Sequence, residues 1–93
     1  MIRSFRDSAT QQVWELRRTK GVSVALAKAA RRKMQILDAA ESINDLRIPP
    51  GNRLEKLQPP RDGEHSIRVS DQFRICFVWS NGGADDVELT DYH

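Results

Sequence analysis

A chain of 93 residues suits one compact domain over 1–93, burying roughly 60–65% of its extended surface, and excludes a second. At 39% apolar residues and a mean hydropathy of −0.61, with no apolar run of membrane-span length and no signal-type segment in "MIRSFRDSATQQ", a soluble cytoplasmic globule is expected. Net charge is only +2, but residues 1–61 carry 13 Lys/Arg against 6 Asp/Glu and residues 62–93 carry 2 against 7, a polarity suited to a polyanion such as RNA or to ordinary solvated surface.

The stretch "MIRSF" reads as a short first strand. Asp7 or Ser8 then caps a helix predicted over 8–18, where Ala9, Val13 and Leu16 fall at i, i+4 and i+7. Gly21 breaks it, and Ser23 opens a second helix in which Leu26, Ala30, Met34 and Leu37 repeat at helical spacing, flanked by Lys28, Arg31 and Arg32. The segment "RIPPGN" is predicted as a turn, since its prolines exclude a helix and Gly51 permits positive φ. "RLEKL" starts a sheet and "QPPRDG" interrupts it. In "EHSIRVSDQFRICFVW" apolar residues alternate with others and predict a hairpin turning near Asp71-Gln72. The lone cysteine, Cys76, lies inside this run; it cannot form an internal disulfide and reads as a small buried hydrophobe. Asn81-Gly82 supplies the next tight turn, and Val87 and Leu89 continue at period two into "ELTDYH". The expected architecture is α+β: two N-terminal helices over an antiparallel sheet of about four to five strands. Ile67, Val69, Phe73, Ile75, Phe77 and Trp79 form its apolar face.

Several familiar chemistries are absent from the pattern. One Cys and two His lack the usual zinc spacing, so no metal site is expected; no Gly-rich phosphate loop precedes a helix, and nothing resembles a nucleophile elbow. An enzyme of this composition would work by acid–base and electrostatic means. Asp91, Tyr92 and His93 are the candidates: His93 can exchange a proton near neutrality, Asp91 can orient it or act as base, and Tyr92 can stack or donate. By spacing alone, a polar strand end with Tyr92 as a packing residue accounts for the same letters. Arg68 and Arg74 stand on the non-apolar face of adjacent strands, where two guanidinium forks can clamp a phosphate or pair with Glu64, Glu88 or Asp71. Arg53, Lys56 and Arg61 cluster around the first strand and its loop as candidate phosphate contacts, or as plain solvated charge. His65, at a strand start, reads as surface.

The order "MIRSFRD", "NRLEKL", "SIRVSDQFRICFVW" and "DVELTDYH" resembles the HigB-type killer proteins of plasmid-maintenance systems, within the RelE/ParE toxin superfamily. The resemblance spans essentially the whole chain and is most specific in its second half. It implies the same α+β fold, a toxin that cleaves mRNA on the translating ribosome, and no cofactor or metal. It also implies silencing by a helix-turn-helix antitoxin of HigA type, with operator DNA contacted only through that antitoxin. Carried over by position, Asp91, Tyr92 and His93 match the terminal active-site motif, and Arg74 matches the strand arginine that stabilises the phosphate. Lys56 and Arg61 fall where basic residues meet RNA or ribosome. Gln58 stands where some members have a histidine; it can hydrogen-bond but cannot exchange a proton, so weaker cleavage is expected. Two rival readings remain: a toxin of the same fold acting on a protein such as DNA gyrase, and a non-catalytic module that docks RNA or ribosome. Neither needs the terminal acid and imidazole.

Overall fold

The computed structural model describes residues 1–91. Asp7 does cap the first helix: its backbone is extended and its carboxylate accepts the Thr10 amide at 2.8 Å, starting α1 at Ser8–Trp14. The helix is shorter than the predicted 8–18. Leu16 takes the left-handed conformation (φ 62), and the amides of Leu16 and Arg17 turn back to the carbonyls of Val13 and Gln12 at 3.2 and 2.8 Å. This is a Schellman stop, built with leucine where glycine is usual, at a cost of about 1–2 kcal/mol. The expected apolar face changes accordingly. Val13 is buried, but Leu16 is 76% exposed, and Thr10 takes the inner position with its hydroxyl accepting the Leu89 amide at 2.9 Å.

The second helix, α2 (Val24–Ala39), starts as expected from Ser23, whose hydroxyl accepts the Leu26 amide. Ala30, Met34 and Leu37 are fully buried along one face, while Leu26 at the first turn is only half-buried. Arg31 ties the two helices: its Nε donates to the Trp14 carbonyl at 2.9 Å and its guanidinium lies 5.2 Å from the Trp14 ring centroid. Beyond α2 the chain makes two 3-10 turns, Ile43–Arg47 and Pro50–Asn52. The prolines of "RIPPGN" therefore do not exclude helical turns; Pro50 occupies a first-turn position, where a missing N–H costs nothing. Asn52 is buried at the end of the second turn. Its amide donates to the carbonyls of Leu46 and Ile48, and its Oδ1 accepts Lys33 Nζ from α2 at 2.7 Å.

Among the described residues the sheet has four antiparallel strands in the order β1 (Glu55–Lys56), β2 (His65–Arg68), β3 (Phe73–Ser80) and β4 (Gly83–Asp91). With the two helices on one face, the fold is α+β, as the periodicity implies. Both predicted hairpins form; Asn81 and Gly82 carry the positive φ values (48 and 73) of a type I′ turn between β3 and β4. One residue is extra. Asp86, at φ 52, bulges between the pairs Cys76↔Glu88 and Val78↔Asp85, and this slip turns Val87 into the core.

The predicted first strand is a partial one. Residues 1–6 run parallel along the outer edge of β4 through bridges at Ile2↔Ala84 and Phe5↔Val87. Between them, where the bulge breaks the ladder, the Ser4 hydroxyl accepts the Asp86 amide at 2.9 Å and donates to the Asp85 carboxylate at 3.1 Å. The core lies between the layers: Ile67, Ile75, Phe77, Ala84 and Val87 of the sheet pack with Val13, Ala30, Met34, Leu37 and Leu46. Val69, Phe73 and Trp79, assigned to the same apolar face by alternation, are half-buried at its margin. Among the described residues no helix is long and apolar enough to cross a membrane.

His65 belongs to this packing rather than to open surface. It sits opposite Phe77 in the ladder with ring centroids 6.3 Å apart, and its buried Nδ1 has no hydrogen-bond partner among the described residues. Protonation would strand a second N–H there. Burial first, then the charges of Lys56 and Arg47, hold the imidazole below its ordinary pKa of about 6.5. The unfolded chain therefore binds the proton more readily, and stability should fall as pH drops below about 6.5, levelling off under the folded-state value. Urea unfolding of the parent and of His65→Gln between about pH 5 and 7.5 checks this: the variant should lose that part of the slope.

Candidate active site

Alternation along β2, β3 and β4 sends Ile67, Ile75 and Leu89 toward the helices and Ser66, Arg68, Arg74, Cys76, Glu88 and Thr90 to the opposite face. Two register rows organise that face. Arg68, Arg74 and Thr90 form one; Ser66, Cys76 and Glu88 form the next. The two arginines singled out from sequence are thus direct cross-strand neighbours, in a place where like charges repel unless an anion or carboxylate joins them.

They are held differently. Arg68 is about one-third exposed and forms an ion pair with Asp71 in the hairpin turn. Arg74 is only 8% exposed. It leans along the sheet so that Nε donates to the Ser66 hydroxyl at 2.7 Å and Nη2 to the Arg53 carbonyl at 2.5 Å, with Glu55 4.0 Å from Nη1. Arg53 enters the site through its backbone carbonyl, and its side chain is exposed.

Asp91 ends the described part of β4, paired with Phe73, one row beyond Arg74↔Thr90. It is exposed and accepts Gln72 Nε2 at 3.0 Å. The register puts Asp91 at the same end of the sheet as Arg68 and Arg74, although the pleat assigns it the parity of Phe73. Tyr92 and His93 lie outside the described residues. Lys56 and Gln58 are exposed, on β1 and on the loop that follows it.

Arg61, expected from sequence among the RNA contacts, is engaged within the protein. It donates to Glu64 at 3.2 Å and to Glu88 at 3.0 Å, and Arg6 approaches the same two carboxylates at 3.5 and 3.7 Å. These four charges strap the loop 57–64 and the N-terminal segment onto β4. Glu64 and Glu88 were the sequence candidates for pairing Arg68 and Arg74, but they pair with Arg6 and Arg61 instead. Sequence reasoning missed Ser66, Arg6 and Glu55. Only strand parity relative to Arg74 pointed to Ser66. Cys76 lies beneath the strap, fully buried; burial pushes its thiol pKa up, so it is not a nucleophile at neutral pH. Among the described residues no three His, Cys, Asp or Glu side chains converge as a metal site would require.

On the helical layer, a groove of about 480 Å³ between the end of α1 and α2 is lined by apolar residues such as Val13, Val22 and Ala27 together with Arg17, Arg18 and Arg32. None of the candidate site residues lines it.

Comparison with known proteins decides the family. The model of the HigB-like toxins, described as RelE-like toxins of the type II toxin–antitoxin system HigB, matches residues 3–93. The chain belongs to the HigB-like toxin family. The chain is 42% identical to Toxin HigB-1 of Vibrio cholerae over 85 residues, covering 90% of each protein. It is 31% identical to Endoribonuclease HigB of Proteus vulgaris over 96 aligned residues, covering both in full. A HigB-like toxin of a type II system implies an antitoxin partner. The α+β fold and the family therefore agree with the expectation drawn from "SIRVSDQFRICFVW" and "DVELTDYH".

Proposed function

We propose that this HigB-like toxin is an endoribonuclease that cuts mRNA on the translating ribosome. The observation that carries the reading is the buried, hydrogen-bonded guanidinium of Arg74 beside Arg68 at the end of the sheet where β4 reaches Asp91. The Proteus vulgaris relative, named an endoribonuclease, supports it. The proposed step is attack of a ribose 2′-oxygen on the adjacent phosphorus. A base, Asp91 or His93, takes the 2′-proton; the P–O5′ bond breaks as the other group, acting as acid, protonates the 5′-oxygen. The products are a 2′,3′-cyclic phosphate and a free 5′-hydroxyl. Arg74 stabilises the charge that builds on the non-bridging oxygens, and Tyr92 stacks on a base or donates a hydrogen bond.

Arg68, Lys56, Gln58, Arg61 and Arg53 are proposed to hold RNA or ribosome, with Arg61 acting while tied to Glu64 and Glu88. Positioning is the scarcer resource for so small a face. Holding the 2′-oxygen in line is worth several kcal/mol, about 7–11 at best, and a ribosome that fixes the mRNA supplies it. The proposed partner in silencing is a HigA-type helix-turn-helix antitoxin, which also contacts operator DNA, and the proposed compartment is the cytoplasm.

The test is brief induction in bacterial cells, followed by primer extension to map new mRNA 5′ ends. In-frame cuts bearing 5′-hydroxyls are expected. Growth arrest without new ends, accompanied by DNA breaks, would replace this reading with the gyrase-directed one.

A further inference from the structure

We infer that Ser66, together with the carbonyl of Arg53, forms a cradle that sets the plane of the Arg74 guanidinium for phosphate contact, which makes Ser66 a positioning residue. The inference rests on the proposed role of Arg74 at the phosphate. Ser66 is fully buried on β2, diagonal to Arg74 in the ladder. Its hydroxyl accepts Nε at 2.7 Å, and its carbonyl lies 3.4 Å from Nη2. The Arg53 carbonyl accepts the same Nη2 at 2.5 Å. One edge of the planar fork is therefore fixed in position and in rotation.

Arg53 reaches this position by an uncommon backbone. It closes the 3-10 turn Pro50–Asn52 in the left-handed region, at φ 44 and ψ 58, which non-glycine residues rarely occupy. Such conformations persist where the surroundings over-determine them, and they gather at functional sites. The buried side chain of Asn52 anchors the turn from the other side, through Leu46, Ile48 and Lys33.

The Ser66 hydroxyl and the carbonyls of Ser66 and Arg53 are neutral acceptors, which orient the guanidinium without adding charge. Glu55, the carboxylate 4.0 Å away, is half-exposed. A strand serine in Nε register thus does for an arginine fork what an orienting group does for a catalytic imidazole.

The experiment uses the full chain with Ser66→Ala, Ser66→Thr and Ser66→Cys, each in the parent and in an Arg74→Lys background. It measures single-turnover mRNA cleavage on programmed ribosomes and water exchange of the Arg74 Nε–H by NMR. Ser66→Ala should lower the saturated rate about tenfold, the worth of one hydrogen bond to a charged group, with half-saturation little changed. Nε–H exchange should accelerate, reporting loss of the Ser66 hydrogen bond, and the fall in saturated rate at unchanged half-saturation is the response that a merely structural role would not produce. Ser66→Thr, which keeps the hydroxyl, should restore both. In the Arg74→Lys background, which lacks Nε–H, Ser66→Ala should add no further loss. Ser66→Cys, close in volume but a poor acceptor, gives the same readouts if the alanine variant folds badly. Parental cleavage in Ser66→Ala and Ser66→Cys beside a disabled Arg74→Lys overturns the positioning role, as does a Ser66→Ala loss that persists undiminished with lysine present. Parental cleavage by Arg74→Lys alone overturns the underlying role of Arg74 instead.

Discussion

Alanine at His93 or at Asp91 is expected to slow mRNA cleavage by about 10²–10⁴-fold each, the usual worth of one acid or base in proton transfer. The two positions are the acid and base of the proposed step, and the chain offers few substitutes. His65, the other histidine, is committed to Phe77 with a depressed pKa, and the Cys76 thiol is buried. Gln58 cannot exchange a proton. Because the two groups act on one transition state, the double variant should be little worse than the more damaged single one. The pH–rate profile sharpens the assignment: a bell in the parent should lose its acidic limb when the base is removed and its basic limb when the acid is removed. Single-turnover cleavage on programmed ribosomes at about pH 5–9 measures this. Parental rates in both variants would refute the mechanism. Asp91 is exposed at the end of its strand, so thermal stability should change little.

Arg74→Ala is expected to reduce cleavage by about 10²–10³-fold, the cost of deleting one preorganised donor at a developing oxyanion. It should also destabilise the fold by about 1–3 kcal/mol, because the Ser66 hydroxyl and the Arg53 carbonyl would lose their donor in a buried place. Lysine separates the two effects. It keeps the charge and much of the aliphatic packing but replaces the fork with a single ammonium, so Arg74→Lys should recover most of the stability and little of the rate. Arg68→Ala makes the contrast: its charge is shared with Asp71 and partly solvated, so its loss should cost about tenfold or less. Urea unfolding alongside the cleavage assay distinguishes these outcomes. Near-parental cleavage by folded Arg74→Ala would remove this arginine from the mechanism.

The parts of the fold that follow from local rules were legible in the sequence. Ser23 and Asp7 cap helices because their side chains can replace missing acceptors. Asn81-Gly82 turns a hairpin because both positions accept positive φ, and Ile67, Ile75 and Phe77 reach the core by simple alternation. What escaped depends on tertiary partners. Leu16 ends α1 in a conformation its side chain disfavours, so no composition rule marks it. Asp86 bulges where Ser4, 82 residues away, supplies the compensating hydrogen bonds. At the candidate site, Arg74 was legible through strand parity and family resemblance. The exchange of partners that gives Glu64 and Glu88 to Arg6 and Arg61 was not, since it depends on how a loop folds back.

The parallel pairing of residues 1–6 with β4 sets a condition on when the toxin comes into being. During synthesis residues 1–6 precede the backbone groups they must meet, from Ala84 to Val87, by about 82 residues. Long-range pairing of this kind forms slowly and late. The ribosome building this chain therefore holds a protein with an open sheet and no completed site, and the finished sheet, with its strap of arginines and glutamates, closes only once β4 is available. Delay is built into the topology: the N-terminal segment waits, unpaired with β4, until the strand that receives it has been made.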